Sequence, residues 1–255
     1  MFAPRLADGG GAFDRATFAR LAETERDHFW FVARRRLIAW AVARYFPEAV
    51  RLLEVGCGTG NVIGALAAAS PRRRCWAADA RLEGLAYARA RWGKAVSFVQ
   101  CDATDLPFDG EFDLIGAFDV IEHILDDDQA IRQAHRALRP GGGLVLTVPQ
   151  HPWLWSVTDA AAGHVRRYRA ADLRHLVESA GFAVVRSTSF VSLLLPLMMA
   201  ARGGWRRTPR IEDELAVPAA VGRLCAWAMA AEAGLIRGGI DLPVGGSRLV
   251  VARRQ

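Results

Sequence analysis

The stretch that most limits what this chain can fold into is Arg51-Leu52-Leu53-Glu54-Val55-Gly56-Cys57-Gly58-Thr59-Gly60. A short apolar run with one acid, Glu54, ends in three alternating glycines, so it reads as a buried strand turning sharply into a helix. Glycines there permit the positive φ angles of a tight turn and keep side chains away from a ligand that approaches the backbone. A second strand, Arg74-Cys75-Trp76-Ala77-Ala78-Asp79, ends in a carboxylate about 20 residues beyond the loop, the place of a ribose-binding acid in nucleotide-binding sheets.

The glycines are spaced G-x-G-x-G, tighter than the G-x-G-x-x-G that holds a dinucleotide pyrophosphate in dehydrogenases. With Glu54 before it, the loop resembles motif I of class I S-adenosylmethionine (SAM)-dependent methyltransferases, whose ligand carries no phosphate. The resemblance implies that Glu54, Gly56, Gly58 and Gly60 build the cofactor loop, with Asp79 on the ribose hydroxyls. A third strand from Val96 runs to Asp102 and Ala103, which match the family's adenine contacts. A fourth, Phe112 to Asp119, is followed by Val120-Ile121-Glu122-His123-Ile124, the loop that borders the methyl group; Asp119 joins the cofactor residues.

That loop lacks the (D/N)-P-P-(Y/F) of amino-methyltransferases acting on macromolecules and looks like that of bacterial small-molecule methyltransferases, a group that includes quinone-biosynthesis enzymes. Asp119, Glu122 and His123 are also similar to the Glu-x-x-Glu-His set of some metal-assisted members, with the first acid shortened, and the expectation is that no metal is held. Capping is the alternative role for Glu122.

At 255 residues the chain suits one α/β domain with additions. The net charge of +6 comes from arginine, since Lys94 is the only lysine, and the basic residues are scattered with no stripe of interleaved aromatics, which argues against a nucleic-acid partner. Cys57, Cys75, Cys101 and Cys225 form no C-x-x-C pair and suit core packing in a reducing compartment. No charged n-region with an apolar h-region opens the chain, so a cytoplasmic location is expected.

Along the chain, a Gly-rich lead-in gives way to a helix that Asp14 can cap, running through Phe18 and Leu21, and to a second from Phe29 to Tyr45 stopped by Pro47. Between them His28-Phe29-Trp30-Phe31 either packs on the sheet or acts as a lid, the family's N-terminal helices commonly lining the acceptor pocket; Trp30 is then a substrate contact. Helices follow at Asn61–Ala69 and Leu82–Trp92, and Asp126, Asp127 and Asp128 open another that closes at Arg136 and Arg139, as the helix dipole prefers. Leu138-Arg139-Pro140-Gly141-Gly142 resembles the family's turn into the fifth strand, Gly143 to Pro149.

The next loop, Gln150-His151-Pro152-Trp153-Leu154-Trp155 through Asp159 to Gly163-His164-Val165-Arg166-Arg167-Tyr168, carries aromatics and histidines at a strand's carboxyl end, as a pocket wall would. Trp153, Trp155 and Tyr168 are substrate-binding candidates, with loop anchoring the alternative for Tyr168. His151, His123 and His164 are candidate bases because an imidazole titrating near pH 6.5 is substantially neutral at pH 7. His151, directly after the strand, stands first.

A sixth strand, Phe182 to Phe190, and a seventh from Ser247 enclose an apolar insertion that includes Leu193 to Met199, basic Arg202 to Arg207 and an Ala-rich helix near Ala219 to Ile236. Paired flanking strands would bring both of its ends to one side, which a single membrane crossing cannot do; a cap resting on a membrane surface is the alternative. The architecture expected is a Rossmann-like, seven-stranded, mostly parallel sheet with helices on both faces and the last strand antiparallel. It forms a single domain over residues 1–255: a helical cover at 13–46, a SAM-binding core at 47–190 and 247–255, and a cap at 191–246. The expected function is SAM-dependent methyl transfer to an apolar or lipid-linked small molecule, more at oxygen than at nitrogen or carbon. A noncatalytic SAM-binding scaffold and a nicotinamide-dependent dehydrogenase are the alternatives.

Overall fold

The computed structural model describes residues 2, 3, 6, 15–204 and 217–255; the expectations for Asp14 and for Trp205-Arg206-Arg207 lie outside them. Seven strands form one sheet in the order β3-β2-β1-β4-β5-β7-β6. They are β1 (Arg51–Val55), β2 (Arg74–Asp79), β3 (Val96–Gln100), β4 (Phe112–Phe118), β5 (Leu138–Pro149), β6 (Phe182–Phe190) and β7 (Ser247–Arg254). The first five pair in parallel, and β7 runs antiparallel to both β5 and β6. Chain direction reverses its walk across the sheet between β1 and β4, which opens a crevice at their carboxyl ends.

Alternation along β1 shows why both faces are covered: Leu52 packs into one apolar layer and Leu53 into the other. The first layer takes Ile38 and Val42 from α2 (Phe29–Tyr45) and Ile63 from α3 (Asn61–Ala68). The second takes Ile131 from α5 (Asp127–Ala137) and Leu173 from α7 (Ala170–Ser179). The other α-helices given for the described residues are α1 (Arg15–Thr24), α4 (Leu82–Trp92), α6 (Val157–Ala161), α8 (Leu195–Gly204) and α9 (Ala219–Arg237).

Three strands differ from their expected limits, β4 by ending at Phe118 rather than Asp119. β5 starts at Leu138 rather than Gly143, because Phe112 pairs with Leu138 and Leu114 with Gly143; the extra residues are carried in an irregularity where Gly141 has φ 75°. β3 stops at Gln100, and the chain then turns at Asp102, whose Oδ1 accepts from the Thr104 amide at 2.8 Å.

The insertion leaves the sheet after Phe190 and returns at Ser247, residues that are paired across β6 and β7. α9 is long and apolar enough to cross a membrane, with a mean hydropathy of 1.3, yet it carries Glu232 on its buried side among Cys225, Met229 and Ile236. That carboxylate accepts from the amides of Val191, Ser192 and Leu193 at 2.6, 2.6 and 2.9 Å, tying the helix to the strand end. α9 also packs against α2, and Met229 and Ile236 share an apolar layer with Ile38 and Val42, so cover and cap are joined over one face of the sheet.

Candidate active site

Gly56, Gly58 and Gly60 all have positive φ, at 68°, 51° and 76°, yet they serve different ends. A Cβ at Gly56 would fall 2.4 Å from Val120, and one at Gly60 3.0 Å from Ala88, so those two glycines admit neighbouring side chains. A Cβ on Gly58 would meet nothing within 4 Å. Open space therefore lies in front of Gly58, whereas protein side chains stand against Gly56 and Gly60.

Asp79 faces that loop from the end of β2. Its Oδ2 accepts from the Gly58 amide and its Oδ1 from the Arg81 amide, each at 2.8 Å. Burial pushes its carboxyl above the usual range, while those amides pull it down. Each carboxylate oxygen retains a second lone pair, so both can still accept a ribose hydroxyl. Asp102 and Ala103 stand half-buried beyond the neighbouring strand. This donor and acceptor set fits SAM, with Asp79 for the ribose and Gly58 for close approach.

Glu54 turns its carboxylate from β1 to the start of α3. It is buried, its Oε2 accepts from the Ile63 amide at 2.6 Å, and burial pushes its carboxyl up to about 8. It holds the first turn of α3 against the sheet. Glu25 does the same from the cover: its carboxylate accepts from the Thr59 hydroxyl and pairs with Arg91.

Three non-glycine residues among those described have positive φ: Asp119 at 57°, His151 at 63° and Val191 at 61°. They follow β4, β5 and β6, which run in the same direction, so all three mark one edge of the sheet. Backbone strain of this kind persists where surrounding contacts enforce it and gathers at functional sites. Arg34, from α2, enforces it at Asp119: its Nε lies 2.6 Å from Asp119 Oδ2 and a terminal nitrogen donates to the Phe118 carbonyl at 2.7 Å. Trp30 lies under the same guanidinium, 5.1 Å from ring centroid to Cζ, so it braces Arg34.

Glu122 and His123 form a short 3-10 turn after Asp119. Glu122 is fully buried, and burial together with Asp119 pushes its carboxyl well above the usual range. His123 Nδ1 lies 3.2 Å from the Gly163 carbonyl, and burial lowers its imidazole. The β5–α7 loop brings His164 to it, with ring centroids 4.7 Å apart and edge-on. His164 is oriented by Asp159, Nδ1 to Oδ1 at 3.0 Å. Burial alone would push the Asp159 carboxyl up, but bonds from His164 and Arg167 outweigh it and hold the group well below the usual range. Arg167 also donates to the Gln150 carbonyl, pinning the loop to the end of β5.

His151 stands apart from that pair. It stacks on Trp153 at 5.1 Å, and burial, helped by Arg248 and Arg167, lowers its imidazole. Trp153 and Trp155 are exposed, as a wall awaiting a ligand would be. Tyr168 is buried, and its hydroxyl donates to Asp127 Oδ2 at 2.7 Å, which is the anchoring alternative rather than a surface offered to substrate. The sequence reading passed over Arg34, Asp159 and Arg167 as site residues; the only signal was their spacing, Asp159 five and eight residues before His164 and Arg167.

A parallel sheet with an antiparallel β7 inserted between β5 and β6, a glycine loop after β1 and acids at the ends of β2 and β3, defines the class I SAM-dependent methyltransferase fold. The chain belongs to that family: the model described as "Methyltransferase domain" matches residues 23–187. It is 32% identical over 171 residues, 66% of this chain and 63% of the other, to a probable S-adenosylmethionine-dependent methyltransferase of Mycolicibacterium smegmatis. It is 32% identical over 163 residues, 57% of this chain and 56% of the other, to an O-methyltransferase of Penicillium expansum. Such matches span about three fifths of the curated relatives' length. Among solved structures it is similar to the cyclase SpnF, with a TM-score of 0.60 at 25% identity over 90% of this chain and 83% of that one. Family membership gives S-adenosylmethionine as the cofactor.

Proposed function

We propose that the protein transfers the methyl group of SAM to an oxygen of an apolar or lipid-linked small molecule. The observation that carries this reading is the open space before Gly58 with Asp79 hydrogen-bonded to that same loop. The bound cofactor supplies an activated methyl group on a sulfonium, and the chain's own part is to align and to desolvate. Asp79 takes the ribose, Asp102 and Ala103 the adenine, and Gly56, Gly58 and Gly60 shape the loop, with Glu54 holding it from behind. Asp119, neutralised by Arg34, closes the methionine end.

Oxygen is favoured by the similarity to an O-methyltransferase. As the acceptor oxygen attacks, its proton passes to His151, whose Nε2 is buried without a hydrogen-bond partner. Trp30, Trp153 and Trp155 supply apolar wall. The apolar acceptor and a place at the inner face of a membrane are suggested by α9, where Leu224 and Trp227 are 70% and 77% exposed. Incubation with methyl-labelled SAM and matched apolar phenols, lipid-linked alcohols and amines tests the reaction. Label in the hydroxyl compounds with S-adenosylhomocysteine as co-product is expected. Tight SAM binding with no turnover on any of them would favour a scaffold instead, and label on the amines alone would overturn the choice of oxygen.

A further inference from the structure

Glu122 has no part in the proposed methyl transfer, yet it is costly to bury. It is 0% exposed, and neither carboxylate oxygen has a hydrogen-bond partner. A buried carboxyl without a partner is destabilising unless something positive or protic meets it. Arg34 and Arg167 act on it through space, and a pair of oriented imidazoles lies near it: His164 Nε2 is 4.0 Å from Glu122 Oε1, and one ligand atom from each of Glu122, His123 and His164 lies within 4.8 Å of the others.

The orientation of the two rings points further. His164 turns Nδ1 to the Asp159 carboxylate and His123 turns Nδ1 to the Gly163 carbonyl. Neither partner can donate, so in the neutral rings both Nδ1 atoms carry the proton and both Nε2 atoms carry the lone pair. Metal-bound histidines are fixed in this way, by a carboxylate or carbonyl on the nitrogen that does not ligate. Asp119, the acid that the sequence resemblance would have included, is taken by Arg34 and is not part of this set.

We propose that Glu122, His123 and His164 form a binding site for a divalent cation of the zinc type, with Asp159 and the Gly163 carbonyl as outer supports. Two imidazoles and a carboxylate are the donor set of catalytic zinc sites, which keep a position open for water or substrate. Ligands about 2.1 Å from one tetrahedral ion lie about 3.4 Å apart, so the widest separation among the three groups needs to close by up to about 1.4 Å. The cation would displace the proton that burial favours on Glu122 and offer an acceptor hydroxyl a Lewis acid beside the methyl donor. Its binding does not depend on the methyl-transfer reading; only that use of it does.

The test reads metal alone, with no SAM or acceptor. The metal-stripped full chain is titrated with cobalt(II), followed by visible absorption, and dialysed against zinc(II) with the bound metal counted. A single equivalent bound through nitrogen and oxygen is expected. Binding should weaken in Glu122→Gln and in His164→Gln by more than the roughly 10–100-fold that loss of an outer support costs, and should persist in His175→Ala, on the outer surface of α7. Melting curves without metal establish that each variant is folded, and the zinc-induced rise in Tm should vanish in the ligand variants. Absence of binding by the parent, an absorption band from cobalt–sulfur charge transfer, or unchanged affinity in both ligand variants would overturn the site.

Discussion

Arg34 and Asp119 join the helical cover to the edge of the sheet through an ion pair of 2.6 Å, in which the arginine comes from α2 and the acid follows β4 with φ 57°. The guanidinium is 9% exposed and the carboxylate 20%, so the pair is held largely out of water. Two segments 85 positions apart in the chain, by subtraction of their numbers, are thereby locked together at the carboxyl end of β4.

Replacing Arg34 by methionine should therefore leave Asp119 a poorly solvated charge beside Glu122. Breaking a buried pair in this one-sided way costs about 3–5 kcal/mol, and partial exposure of Asp119 brings the expected loss nearer the lower figure. Urea unfolding of Arg34→Met, Asp119→Asn and the double variant checks it. The double variant should recover part of the loss, and strictly additive losses would show that the two residues do not act together.

Asp79→Asn should weaken SAM binding. The amide keeps one acceptor oxygen, but the charged hydrogen bonds to ribose, worth about 1.5–3 kcal/mol, are lost together with one of the amide contacts to Gly58 or Arg81. Calorimetric affinity within twofold of the parent would remove Asp79 from the ribose site.

Stability should fall with rising pH on account of Glu54. Burial raises its carboxyl from 4.5 in the unfolded chain to about 8 in the folded one, so between those values the folded state binds more protons than the unfolded. The contribution is present in full below 4.5 and is lost as pH rises through 8. Denaturant midpoints of Glu54→Gln, which cannot ionise yet can still accept from Ile63, should vary less over that range; parallel pH curves for the two proteins would contradict the assignment.

His151 should impose a single ascending limb on single-turnover methylation. Because burial lowers its imidazole, as Arg248 and Arg167 do further, the neutral base forms below the ordinary pH 6.5 and the rate should level off by neutrality. His151→Ala should lose that limb and about 10²–10⁴-fold in rate, while SAM affinity stays. An unaltered profile would transfer the proton to another acceptor.

Glu232→Ala should free the cap from the strand end. The amides of Val191, Ser192 and Leu193 lose their acceptor, at about 1–3 kcal/mol for each donor that stays buried and unpaired. Hydrogen exchange at those three amides should accelerate well before that of the β1 and β4 amides. Equal acceleration throughout the sheet would mean that Glu232 supports the whole fold and not the cap's attachment.

The sequence by itself determined the sheet, the loop and the acids at its edge, because these depend on features that repeat within a few residues. Alternation in Leu52-Leu53, glycines at Gly56, Gly58 and Gly60, and carboxylates at Asp79 and Asp102 each declare a strand, a turn or a strand end locally, and the family resemblance follows from their order. What it could not determine is which neighbours each of those residues meets. Glu54 and the outer glycines look equivalent to Asp79 and Gly58 in a motif, and only packing against Ile63, Val120 and Ala88 separates them. Likewise Arg34 meets Asp119, Asp159 orients His164, and Glu232 anchors α9 to Val191 through distances closed by the tertiary fold. Local pattern sets the backbone because each residue's own geometry responds to its near neighbours. The partner of a buried charge is set by which distant segments the folded core brings within about 3 Å, the reach of a hydrogen bond.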